Sequence, residues 1–147
     1  MSYIKVESLN YVIEKNNIIK DVNIFLEKNK TLSIVGSSGS GKTSLLRLIS
    51  GINTPSNGKI IINNKVVFDK NYFMPISKRK IGLMFQDSVL FPHLNVYENI
   101  SFGLKTSNKN LKKEKTFDLI NRLELIDIYN SYPETLSGGE KQRVALA

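Results

Sequence analysis

The chain has 147 residues, 41% of them hydrophobic, which is enough for about one compact domain with a core. It has no cysteine, so disulfides and thiolate metal sites are excluded, and its single histidine, His93, cannot build a multi-histidine metal site. A formal net charge of +8, from 21 Lys+Arg against 13 Asp+Glu, permits nucleic acid, anionic lipid or nucleotide as partners and chooses none of them. The excess of lysine, with abundant asparagine and isoleucine, fits a compositional bias equally well. No run approaches the ~18 apolar residues that a membrane span needs. The N-terminus lacks the basic-then-apolar order of a signal peptide. The expectation is a cytosolic chain whose membrane role, if any, is peripheral.

In chain order, residues 3–9 (YIKVESL) and 18–26 (IIKDVNIFL) alternate as strands do. Residues 27–30 read as a turn, and 31–35 (TLSIV) as a short buried strand. SLLRLIS, with leucines 45, 46 and 48 and Ile49, has helical spacing and closes at Gly51. Pro55–Gly58 is a turn. Residues 59–62 and 65–68 predict a hairpin joined at Asn63-Asn64. Residues 80–85 (KIGLMF) predict a further strand and 96–103 a helix. Residues 105–115 carry five lysines and suggest a solvated loop or helix start, and 114–125 a helix through Phe117, Ile120 and Leu123. A last helix begins near Ser137. The order implies an α/β nucleotide-binding domain with an antiparallel β piece.

Residues 36–43 read Gly-Ser-Ser-Gly-Ser-Gly-Lys-Thr, matching G-x-x-x-x-G-K-[ST] between a predicted strand and a predicted helix. Gly36, Gly39 and Gly41 permit positive φ and close backbone approach. The loop amides, including those of Ser37, Ser38 and Ser40, can then converge on phosphate oxygens, and the helix start at Ser44 adds its dipole. Lys42 can reach the β- and γ-phosphates, and the Thr43 hydroxyl can ligate Mg²⁺. The bland alternative, a Gly/Ser turn with a chance lysine, has to reproduce both the motif and its strand–helix context.

Residues 136–143 read Leu-Ser-Gly-Gly-Glu-Lys-Gln-Arg. Ser137 offers a hydroxyl, and Gly138 and Gly139 offer unobstructed amides at a helix start. Alone this is as readily a plain N-cap. GSSGSGKT, then Gln86 after an apolar strand, then LSGGEKQR, in that order, resembles the ATPase subunits of ABC transporters over essentially the whole chain. The resemblance implies a P-loop NTPase core with an antiparallel β subdomain and a helical subdomain. It divides the chain into residues 1–85 (β subdomain and P-loop core) and 86–147 (Q-loop, helical subdomain and signature). It implies ATP and Mg²⁺ as ligands, with Lys42, Thr43 and the loop acting in cis and Gln86 touching Mg²⁺ or the attacking water. Ser137, Gly138, Gly139 and Glu140 would face the ATP of a second, head-to-tail subunit. The stretch 79–103 is most similar to importers of ferric iron, molybdate, sulfate and polyamines. That implies transmembrane permease subunits docking near Gln86–Leu104, a solute-binding protein acting indirectly, and a place on the cytoplasmic side of the inner membrane. His93 reads as a loop residue without chemistry.

The pattern departs from the family in two places. The 147 residues stop after the signature, before the family's Walker B strand and later histidine, and Asp87, Glu98 and Glu140 are misplaced for a general base. The expectation is poor or no hydrolysis by the chain alone, and instability without a central strand. The family's adenine-stacking aromatic aligns with Ile13, and Tyr11, two residues away on the same strand face, is the substitute. Two other readings stay open: a non-catalytic nucleotide-binding fragment, and a soluble ABC ATPase of DNA maintenance. The latter family usually separates Lys42 and Ser137 equivalents by long insertions, so no nucleic acid partner is expected.

Overall fold

The computed structural model describes residues 2–147. The chain divides into two compact units, Met1–Leu83 and Met84–Ala147.

The first unit is built on an antiparallel sheet. β1 (Ser2–Ile13) and β2 (Asn16–Glu27) form a long hairpin, closed by Glu14 (φ 46°) and Lys15 (φ 72°). The helix α1 (Lys42–Ser50) follows the glycine loop. β3 (Asn57–Ile62), β4 (Lys65–Asp69) and β5 (Tyr72–Phe73) complete five strands in the order β2-β1-β3-β4-β5. The one-turn helix α2 (Ile76–Arg79) ends the run. Register follows the apolar alternation: Val6 pairs with Ile24 on one side and with Ile60 on the other. The β1–β2 ladder is bulged, and asparagines replace its missing bonds. The Ser8 amide donates to Asn23 Oδ1 at 2.8 Å, and the Asp21 amide to Asn10 Oδ1 at 3.0 Å. The β3–β4 turn at Asn63 (φ 47°) and Asn64 (φ 61°) is left-handed at both central positions, the geometry that suits the twist of a two-residue hairpin.

One face of this sheet holds the core. Val6, Leu9, Ile19, Ile60, Ile62, Val67 and Phe68 are buried together with Leu45 and Leu48 of α1. Each such side chain contributes roughly 1.5–3 kcal/mol on burial. This is why α1, only nine residues long, forms at all. Gly51 (φ 88°) closes it, its amide donating to Arg47 O and Leu48 O.

Two sequence expectations are corrected here. Residues 31–35 and 80–85 are not strands, and the second segment begins with Lys80 in a left-handed conformation (φ 53°). A strand exists only when a neighbour takes its N–H and C=O groups, and neither segment has one among the described residues. Their alternate side chains Leu32, Ile34, Ile81 and Leu83 instead line an apolar cavity of about 350 Å³ floored by Leu46 and Ile49 of α1. Val35, expected inside, is 89% exposed.

The second unit is helical. α3 (Val96–Phe102) starts at Asn95, whose side chain accepts from the Glu98 amide while Glu98 accepts from the Asn95 amide. α4 (Lys109–Arg122) starts at Asn108, earlier than the apolar spacing predicts, because the Asn108 carboxamide caps Asn110 and Leu111. α5 (Gly138–Leu146) starts at Ser137. Val96, Ile100, Ile120, Leu125, Leu136 and Val144 make the core of this unit. Tyr97 and Tyr129 pack on the Phe117 ring, centroids 5.5 and 5.6 Å away.

Candidate functional site

The glycine loop leads into α1, and its shape follows from its residues. Gly39 (φ 81°) and Gly41 (φ 90°) take left-handed conformations that disfavour a side chain. A Cβ on Gly41 would also lie 3.0 Å from Ile18 O, so the loop packs directly on β2. At Gly36 no positive φ is required; a Cβ there would come 2.8 Å from Ser40 Oγ and displace that hydroxyl from Lys42. Lys42 folds back across the loop and donates to Gly36 O (2.8 Å), Ser37 O (2.6 Å) and Ser40 Oγ (3.3 Å). The ammonium is thus held over the concavity that the loop encloses, beside the first turn of α1. A cavity of about 490 Å³ opens between the loop and β2, lined by Ile18, Lys20, Val35, Gly36 and Lys42 among others. Gly36, Ser37, Ser40, Gly41 and Lys42 form its loop side and apolar residues of β2 the other. A glycine loop with a cation at a helix start is the kind of arrangement that suits a polyphosphate. Thr43 is exposed in the first turn, and Ser44 is half-buried beside it.

Tyr11 lies on β1 opposite Ile19. Its ring packs at the edge of the core and its hydroxyl accepts from Asn53 Nδ2 at 2.9 Å. Ile13, at the end of the same strand, is 43% exposed.

In the second unit Gln86 is exposed in a bend at residues 86–87, and Asp87 beside it is exposed too. Ser137, Gly138 and Gly139 are exposed at the start of α5. The Ser137 amide and hydroxyl both donate to Glu140 Oε2, at 2.7 and 2.6 Å. These bonds, with a smaller contribution from Arg143, hold the Glu140 carboxyl below the ordinary carboxylate range. A Cβ on Gly138 would meet nothing within 4 Å, so the glycines leave an open approach to the amides. His93 sits in a turn with its ring edge-on to Phe91, 6.1 Å between centroids.

Two residues that sequence reasoning passed over organise their surroundings. Arg79, 4% exposed, is buried without a carboxylate partner among the described residues. Burial pushes its guanidinium pKa down from the usual arginine value. Asn99 ties down the turn before α3: its Nδ2 donates to Leu94 O (2.8 Å) and Asn95 O (3.0 Å), and its Oδ1 accepts from the Phe91 amide (2.8 Å). That turn borders an apolar groove of about 270 Å³ between Val89, Phe91, Leu104 and the end of α5. Neighbouring lysines disguise Arg79 as part of a solvated run, and the role of Asn99 could have been sought in N-x-x-E-N, a helix-start pattern. Among the described residues no cluster of His, Cys, Asp or Glu can hold a metal ion. No helix among them is long and apolar enough to cross a membrane.

A lysine-closed glycine loop at a helix start, on an α/β scaffold, defines a phosphate-binding-loop protein. The chain belongs to the ABC transporter family, whose profile matches residues 19–147. It is 41% identical over 147 residues to the Fe(3+) ions import ATP-binding protein FbpC 2 of Haemophilus influenzae, covering 97% of this chain and 40% of that protein. It is 39% identical over 146 residues to the spermidine/putrescine import ATP-binding protein PotA of Acetivibrio thermocellus, covering 98% of this chain and 40% of that protein. The chain thus spans about 40% of the length of these relatives. Among solved structures, cbiO1 from Clostridium perfringens, part of the ABC transporter complex cbiONQ, superposes with a TM-score of 0.83 at 29% identity, over 99% of this chain and 59% of that one. The ATP-binding cassette MJ0796, solved as a dimer in a post-hydrolysis state with ADP and Pi, gives 0.80 at 28% identity, over 97% and 67%. The fold is therefore the α/β core of an ABC ATPase domain, with its antiparallel sheet and helices.

Proposed function

We propose that this chain carries the ATP-binding machinery of the ATPase subunit of an ABC importer. The observation that carries the reading is the loop at Gly36–Thr43, closed by Lys42 at the start of α1 in a chain of this family. In this reading the amides of residues 37–43 and the Lys42 ammonium bind the β- and γ-phosphates. Lys42 exchanges at least one loop oxygen for phosphate oxygens. In the first unit Thr43 would supply one hydroxyl and the phosphates most other oxygens, so Mg²⁺ fits only as a nucleotide-borne ion. The ion would neutralise phosphate charge. Tyr11 or Ile13 flanks the base. Ile13 is the more exposed of the two, and the Tyr11 hydroxyl is already engaged by Asn53.

Ser137, Gly138 and Gly139 face the γ-phosphate of ATP held by a second subunit, with Glu140 ordering the serine. Two such contacts make an ATP-stabilised, head-to-tail pair that loosens once the γ-phosphate is cleaved, so binding energy drives a conformational cycle. The dimeric MJ0796 cassette supports this pairing by similarity. Within the chain Glu98 and Glu140 are committed to helix caps, so neither is free to act as a general base; in this reading the loop binds nucleotide and turnover belongs to the assembled ATPase. The groove beside Phe91 suits an apolar helix of a permease subunit. The subunit acts at the cytoplasmic face of the inner membrane, in a system that also uses a solute-binding protein.

Sedimentation of the chain with Mg-ATP and with Mg-ADP tests the pairing. The expected result is self-association with ATP alone, abolished by Ser137→Trp or Gly138→Trp, which block the open approach. Association that ignores the nucleotide would overturn it.

A further inference from the structure

Arg79 is the one buried cation among the described residues that the nucleotide reading does not use. Its guanidinium binds only backbone. Nε donates to Met74 O at 2.8 Å. Nη1 donates to Leu48 O at 3.0 Å and Ile49 O at 2.9 Å, and Nη2 to Val67 O at 3.3 Å. Leu48 and Ile49 are in the last turn of α1, Val67 is in β4, and Met74 lies just before α2. The Phe73 ring covers the cation, 5.0 Å from Cζ to the ring centroid. The space is reserved for it: a Cβ on Gly51 would fall 2.5 Å from Arg79 Nε and 2.6 Å from Cζ.

The geometry points to Arg79 as a positioning residue for the phosphate loop, acting through α1. This rests on the nucleotide-binding reading above. Apolar packing of Leu45 and Leu48 holds α1 against the sheet but resists sliding and rotation only weakly, because it is non-directional. Hydrogen bonds from a planar fork are directional. Arg79 ties the last-turn carbonyls of Leu48 and Ile49 to β4 and so fixes where α1 begins, six and seven residues earlier, at Lys42. The loop amides and the Lys42 stem are carried on that end. The cation also sits at the negative pole of the helix whose positive pole faces the phosphates. Displacement of a binding group by even about 1 Å is costly, so a loosened α1 should be read as lost affinity.

The test is Mg-ATP affinity by calorimetry for the wild-type chain, Arg79→Lys and Arg79→Gln, each at a temperature where circular dichroism shows it folded. Ile60→Val, a core change on β3 away from the loop, is the control for stability alone. Arg79→Lys keeps the charge and loses the fork. The expected result is a Kd raised roughly ten-fold or more in both Arg79 variants, with Ile60→Val binding as wild type even where its melting temperature falls equally. Wild-type Kd in a folded Arg79 variant, or the same change in Ile60→Val, would overturn the inference. The Arg79 Nε–H resonance of the wild-type chain supplies a second readout that needs no variant. It should shift on adding Mg-ATP, and an unmoved signal at saturation would contradict the coupling. If the wild-type chain fails to bind Mg-ATP, the proposed function itself falls, and the Arg79 inference with it.

Discussion

Ser137 and Glu140 show how one residue pair serves both the fold and the site. The Ser137 hydroxyl and amide converge on a single carboxylate oxygen, so the charge of Glu140 orders the serine that starts α5. Because its pKa is depressed in the folded chain, this contribution is present above the ordinary carboxylate range and is lost as pH falls through the lower, folded value. The Ser137 amide resonance should therefore shift at acid pH with the titration of Glu140, and Glu140→Gln should abolish that shift. Ser137→Ala should cost about 1 kcal/mol of stability in urea unfolding. This pair could be read in the sequence, because S-x-x-E announces a capping box wherever it stands. Arg79 could not. Its partners are four carbonyls spread over residues 48–74, and nothing in a lysine-rich neighbourhood says that one cation turns inward.

Local chemistry decides which elements form as read. The Asn63-Asn64 turn is self-sufficient: two residues that tolerate positive φ close a hairpin between alternating strands. Asn64→Ala should destabilise the chain by roughly 1 kcal/mol, while Asn64→Gly should be neutral or better, as measured by thermal unfolding. The segments at residues 31–35 and 80–85 are the opposite case. Their apolar composition, β-branched at Thr31, Ile34 and Val35, reads as strand, but composition supplies no hydrogen-bond partner, and strand identity is a property of pairs. Their amides should exchange with solvent deuterium far faster than those of Val6 or Ile60, which are paired within the sheet. The asparagines of the β1–β2 bulges were invisible in the sequence for a related reason: they matter only where the ladder breaks.

At the scale of the molecule, each unit has its own core, and the candidate nucleotide loop depends on the first. Leu9→Ala and Ile120→Ala remove fully buried side chains from the first and second core respectively. Each should cost about 2–5 kcal/mol. Leu9→Ala should raise amide exchange first across β1–β3, and Ile120→Ala first across α3–α5. The apolar spacing of single elements does not say which of them share an interior; only the family resemblance suggested a division, at residues 85 and 86, and the chain divides between Leu83 and Met84. The family was legible, because three short motifs in a fixed order each carry their own physical reason.

The central claim is that the loop closed by Lys42 is a nucleotide site, and calorimetric titration of the chain with Mg-ATP tests it most directly. The account predicts one saturable site in the wild-type chain and a large loss of affinity in Lys42→Ala, with circular dichroism unchanged. Absence of binding in the folded wild type, or equal affinity in Lys42→Ala, would contradict it.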